Sequence, residues 1–260
     1  MTIDKEDVSI TTMDHWAKET GAEKISLGRN NSFTQTFERL LPKNPNWSVI
    51  EIGACPGGIL LDLSLTHGYL PYALDYLPAV QEMKKSFSEN GLENLVVYQE
   101  DFLSCDLRVK HNVVMSFGFI EHFNSPSYVL NKHWEFVADG GYLVLGVPVF
   151  GPMQLLLRKL VLKKDKYDWS MNSHNQDIMG LDPILEIAED FEGIEEVVFG
   201  SYTGNMDMWY SPKQPFIRKG SLWVFVLWKL VALIPKLFNW SSRFFSPYCI
   251  VVFKKKPSLD

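Results

Sequence analysis

Cysteine is scarce in this chain of 260 residues: Cys55, Cys105 and Cys249 are far apart and form no CxxC pair. That spacing argues against a disulfide framework and against a structural zinc site, and it suits a reducing compartment. Positive charge is also short. Against 31 Asp and Glu stand 25 Lys and Arg, a net charge of −6, so no uniformly basic face for a phosphate backbone is expected and nucleic acid is not an expected partner. The opening MTIDKEDVS is acidic and polar where a secretory signal would be basic and then apolar. A cytoplasmic location is therefore expected. A membrane-spanning run is missing too, because the most apolar stretch, residues 222–234, is well short of about 20 residues and carries Lys229 at its centre. No internal repeat or low-complexity tract occurs.

What the sequence does contain is alternation. Val49–Ile52, Leu70–Leu74, Leu95–Tyr98, Val113–Ser116, Tyr142–Val147, Ile194–Tyr202 and Tyr248–Phe253 are rich in β-branched and aromatic residues and read as strands. Helix punctuation falls between them. Pro78, Pro126 and Asp182-Pro183 mark helix starts, Ser125 is a candidate N-cap, and Gly91 and Gly140 follow expected helix ends. Strand and helix in alternation imply an α/β fold, a parallel sheet covered on both faces. Residues 1–47 read as a helical lead-in or lid, with Phe33, Phe37, Leu40 and Leu41 at helical spacing. Residues 48–260 form the main domain, with insertions at 149–181 and 204–247 that are longer than its connections require and are candidate caps over a substrate.

The chemistry concentrates at the strand ends. Glu51 closes the first strand and leads into Gly53-Ala-Cys-Pro-Gly57-Gly58, before a helix begins at Ile59. Glycines permit a sharp turn and a close ligand approach, and a helix amino end offers free amides to an anionic group. Asp75 follows the second strand, where a carboxylate can accept both hydrogen bonds of a ribose diol. Asp101 follows the third, in Gln99-Glu-Asp-Phe102, and the fourth runs on through Ser116-Phe-Gly-Phe-Ile-Glu-His122.

This ordered set resembles the class I S-adenosylmethionine-dependent methyltransferases, especially small-molecule enzymes of the ubiquinone-biosynthesis type, over about residues 48 to 148. The resemblance implies a Rossmann-like, doubly wound, seven-stranded and mostly parallel sheet with an antiparallel last strand. It implies S-adenosyl-L-methionine as cofactor: Glu51, Gly53 and Gly57 at the methionine part, Asp75 at the ribose with Tyr76 beside it, Asp101 at the adenine amine with Phe102 adjacent, and Ser116 and Phe117 against the cofactor. Cys55 departs from the usual second glycine and lies in the cofactor loop. Metal-dependent catechol-type enzymes place a carboxylate ligand after the fourth strand; Ser116 and Phe117 offer none, so no metal is expected.

Methyl transfer to a hydroxyl also needs a proton acceptor, for which His is suited near neutral pH. His122 in the fourth-strand loop and His174 in the first insertion are the candidates. Trp16 is a candidate to close over the methionine end. The expected acceptor is a small molecule: a metabolite, a sugar or a lipid-linked intermediate, methylated on oxygen or, alternatively, on nitrogen. A nicotinamide-dependent oxidoreductase and a non-catalytic cofactor-binding module are the rival readings. The apolar stretch at 221–240 is expected in a core or homodimer interface, or in peripheral contact with a membrane.

Overall fold

The computed structural model describes residues 9–12, 16, 32–191, 193–203, 214–237 and 240–258. Its strands are β1 Ser48–Ile52, β2 Leu70–Leu74, β3 Val96–Tyr98, β4 His111–Phe117, β5 Val137–Pro148, β6 Ile194–Thr203 and β7 Tyr248–Lys255. They form one sheet in the order β3-β2-β1-β4-β5-β7-β6. Strands β1 to β5 pair in parallel, and β7 runs antiparallel to both β5 and β6. This is the doubly wound sheet with a reversed last strand.

Alternation along each strand divides the core into two layers, since successive side chains point to opposite faces. Val49, Ala73, Val113, Met115 and Val144 pack beneath helices α1 Ser32–Leu40, α2 Gly58–His67 and α3 Met83–Glu89. Ile50, Ile52, Leu74, Val114 and Leu145 face α4 Pro126–Glu135 and, further along the sheet, α7 Leu181–Glu189. The first insertion folds into α5 Pro152–Val161, α6 Lys164–Asn172 and a short 3-10 turn at Gln176–Ile178. The second contains α8 Leu222–Leu237, whose Phe225 and Trp228 pack on Leu157 and Val161 of α5 as a small separate core.

Local expectations need three corrections. Gly140 is not a helix terminator: α4 ends at Glu135, and Gly140 lies inside β5 at φ 71°. There the β4–β5 register shifts between His111 and Val113, and a glycine accommodates the extra residues of β5. Ser125 occupies the N-cap position without a side-chain cap bond, and Pro78 opens a 3-10 segment, Pro78–Glu82, rather than an α-helix. In the lead-in, Phe37 and Leu41 are buried, whereas the side chain of Phe33, most of residues 1–31 and residues 204–213 lie outside the described residues.

Gly146, near the carboxyl end of β5, sets the spacing of the sheet beside the crevice described below. A Cβ there would lie 2.3 Å from Cδ1 of Phe117 and 2.7 Å from Cε1 of Tyr248. Gly146→Ala should therefore destabilise the fold by about 1–3 kcal/mol through overpacking, measured as a lower midpoint in urea denaturation. An unchanged midpoint would mean that Phe117 moves aside freely.

Candidate functional site

From β1 the chain winds to β2 and β3 on one side, and β4 and β5 lie on the other, so the connections leaving the carboxyl ends of β1 and β4 diverge. In an open α/β sheet that divergence opens a crevice. A cavity of about 410 Å³ occupies it, within the range of roughly 300–1,000 Å³ usual for small-molecule sites. Gly53, Cys55, Asp75 and Tyr76 form one side; Asp101, Phe102 and Phe117 continue it; His122 and Trp16 close the far end. Glu51, Gly57, Ser116 and His174 are outside the wall. Ser116 is buried in β4 between Ile52 and Leu145, and Glu51 is buried at the end of β1 behind the turn.

The turn is fixed by packing and by one carboxylate. Gly53 has φ 69° and faces the ring of Phe119, which would be 2.6 Å from a Cβ; Gly57 has φ 82° and faces Cε of Met83 at 2.2 Å. Neither position has room for a side chain. Cys55 does, because its contribution is a backbone one: its N–H donates to Oδ2 of Asp75 at 3.0 Å, while Leu77 N–H donates to Oδ1 at 2.9 Å. Burial raises the Asp75 carboxyl above its ordinary range, and these two N–H bonds oppose that rise. Burial also pushes the Cys55 thiol up to about 12, with Asp75 adding to the shift. Cys55 is thus no nucleophile near neutral pH. Asp101 accepts from Leu103 N–H and from the hydroxyl of Ser104.

At the far end the first insertion is tied onto the loop after β4. Asn175 N–H donates to the Glu121 carbonyl at 2.6 Å, its side-chain amide donates to the Phe123 carbonyl at 3.0 Å, and Nδ1 of His122 is 2.8 Å from the Ser173 carbonyl. A carbonyl only accepts, so Nδ1 carries the proton and Nε2 of neutral His122 keeps its lone pair. The rings of His122 and His174 lie 4.6 Å apart, and Trp16 meets His122 edge-on at 4.7 Å. Ile10 N–H also donates to the His122 carbonyl. The two histidines are 52 positions apart in sequence, and only the insertion's path brings them together.

The sequence sets Glu121 beside His122, as a pair that can orient the loop or touch the cofactor, and the structure adds its burial. Oε1 of Glu121 is 3.8 Å from Nε2 of His122, and its Oε2 has no hydrogen-bond partner. Burial raises its carboxyl to about 8, and burial likewise lowers His174 to about 3, with His122 contributing. One ligand atom each from Glu121, His122 and His174 lies within 4.8 Å of the others, a grouping able to hold a metal ion. Ser116 and Phe117 offer no carboxylate at the end of β4, and Glu121 in the loop that follows does. Phe119, the residue that fills the space over Gly53, was missed, since nothing in a run of aromatics says which one packs on a glycine.

Glu51 gives the site a pH signature. Burial lifts its carboxyl from 4.5 to about 8, and one oxygen lacks a partner. A raised acid is held neutral by the fold, so its stabilising contribution is complete below the unfolded value and is lost as pH climbs through the folded one. Without ligand, the melting temperature should fall between pH 4.5 and 8, and Glu51→Gln, permanently neutral, should flatten that fall. Parallel pH profiles for the two proteins would remove Glu51 as its source.

No family model matches the sequence, and no curated protein does. Solved structures match the fold. YjhP from Escherichia coli is 16% identical, with 93% of this chain and 99% of that one covered and a TM-score of 0.57. A protein described as a candidate methyltransferase from Bacillus halodurans is 12% identical, with 88% and 100% covered and a TM-score of 0.57. Another, from Haloferax volcanii in complex with the Trm112 methyltransferase activator, is 14% identical, with 95% and 97% covered and a TM-score of 0.61. Likeness at these identities is likeness of fold, and this chain has the fold of solved structures that include proteins described as methyltransferases.

Proposed function

We propose that the protein is an S-adenosylmethionine-dependent methyltransferase that methylates a hydroxyl oxygen of a small-molecule acceptor. The observation that carries this reading is the gathering of the glycine turn, Asp75, Asp101 and His122 around one cavity at the switch point of the sheet. A nitrogen acceptor is the alternative.

The residues suit the cofactor. Each oxygen of Asp75 accepts one backbone N–H and keeps a further acceptor site for a ribose hydroxyl. Asp101 faces the same cavity with Tyr76 and Phe102 beside it, which fits an adenine amine and ring. Glu51, Gly53 and Gly57 belong to the methionine end: the unpartnered oxygen of Glu51 is matched to an ammonium, and the two glycines leave backbone in place of side chains. Ser116 supports this wall from within β4, beneath Phe117. When bound, the cofactor supplies a methyl group on a sulfonium, electrophilic without further activation.

The protein's part is alignment, exclusion of water and proton transfer. Holding the acceptor oxygen in line with the methyl can lower the barrier by on the order of 7–11 kcal/mol. Trp16, Phe117 and Phe119 give that end of the cavity an aromatic wall. His122 accepts the hydroxyl proton on Nε2 in this reading, and the Ser173 carbonyl on Nδ1 keeps the ring oriented and stabilises its charged form. His174, held neutral by burial, packs beside it and borders the acceptor. Residues 1–47 and the insertions at 149–181 and 204–247 act in this reading as lid and caps on one catalytic domain. The three cysteines are free thiols, as suits the cytoplasm.

Calorimetric titration should give saturable binding of S-adenosylmethionine and none of NAD; the reverse result would overturn the assignment. Asp75→Ala should weaken that binding by about 1.5–3 kcal/mol, through loss of charge-assisted hydrogen bonds, and unchanged affinity would remove Asp75 from the ribose. His122→Gln should depress turnover while cofactor affinity stays within a factor of about two. Turnover should survive a chelator, because the sulfonium needs no Lewis acid. Loss of activity on chelation would instead make Glu121, His122 and His174 a ligand set.

A further inference from the structure

The feature that the site does not absorb is α8. Its Phe225 and Trp228 face α5, yet Leu222, Trp223, Val226, Leu227, Leu230 and Leu233 are exposed, Trp223 by 79% and Leu227 by 64%. At 100° per residue these six cover one continuous arc, and Lys229 lies at its edge. Leu156 and Leu160 of α5 extend the apolar surface, and exposed Trp240 and Phe244 follow α8 in the chain. Monomeric soluble proteins rarely leave so many large apolar side chains in one uncovered area.

Charge identifies what covers it. The protein is acidic overall, but from Met208 to Pro247 there is no Asp or Glu, while six Lys and Arg occur there, among them Arg218, Lys219, Lys229 and Arg243. Lys159 and Lys163 are exposed near the ends of α5. An isologous dimer would set this cationic rim against its own copy; anionic headgroups would neutralise it. An exposed arc of Trp and Leu edged by Lys and Arg offers both terms of interfacial binding, apolar burial and attraction to anionic lipid, and no helix among the described residues is long and apolar enough to cross a bilayer.

The face also connects to the site. Arg158 of α5 stacks over Phe150 at 4.1 Å, the Phe150 ring is 5.3 Å from His174, and His174 borders His122 at the cavity's far end. We propose that α8 and the outer side of α5 dock on an anionic bilayer surface, so that the acceptor side of the cavity receives a lipid-borne or amphiphilic hydroxyl compound. The docking itself needs no methyl transfer; the acceptor class rests on the methyltransferase reading.

The test is flotation of the full chain with vesicles of mixed phosphatidylcholine and phosphatidylglycerol, and of phosphatidylcholine alone. Binding is expected to the mixed vesicles, weakened by salt and accompanied by a blue shift of tryptophan emission. Lys219→Glu with Lys229→Glu should weaken it roughly tenfold. Trp223→Asp with Leu227→Asp should abolish it, with the circular dichroism spectrum and S-adenosylmethionine affinity unchanged, since both side chains point to solvent. Equal binding to both vesicle types, binding to neither, or a solution dimer that these variants convert to monomer would overturn the proposal. Cofactor affinity is measured independently of vesicles, so failure of the docking and failure of the methyltransferase reading give different results.

Discussion

Everything in the site depends on β1 being paired in parallel with both β2 and β4. Because the chain winds outward from this central strand in both directions, the segments leaving β1 and β4 must separate, and the sheet cannot fill the gap with its own backbone. Asp75 fixes one rim of it by tying the turn after β1 to its own loop after β2. Its cost is desolvation, visible as the upward shift of its carboxyl. A buried carboxylate that accepts only two backbone N–H bonds is held there at a desolvation cost that those bonds offset in part.

The same tension recurs with Glu51 and Glu121. Both are buried carboxyls raised to about 8, and each has an oxygen without a partner. Buried polar atoms left unpaired are destabilising by themselves, so each of these two carboxyls is a local cost to the fold. The backbone around them compensates by being tightly held: the lead-in bonds to His122, and the first insertion bonds to residues 121, 122 and 123.

Much of this was legible in the sequence for a physical reason. Strand burial requires runs such as Val49–Ile52, helix starts tolerate proline at Pro126, and a turn crowded by Phe119 and Met83 tolerates only glycine at Gly53 and Gly57. These are local constraints, and they write themselves into local sequence. Gly140 was misread because a glycine with positive φ serves a helix end and a bulged strand equally; only the register of β4 against β5 distinguishes them. The apolar stretch at 222–234 announced a buried helix, yet composition could not say that one side of it would remain uncovered.

By itself, then, the sequence determined the order of the strands along the chain, the turn that needs glycine and the acids placed at strand ends, because each follows from backbone sterics or solvation within a few residues. The tertiary structure alone decided which of those acids share a cavity, which nitrogen of His122 meets the Ser173 carbonyl, and that Glu121 and His174 stand beside it. Those outcomes depend on contacts between segments about 50 residues apart, where loop entropy and packing of the whole core, not the nearest neighbours, choose the partner.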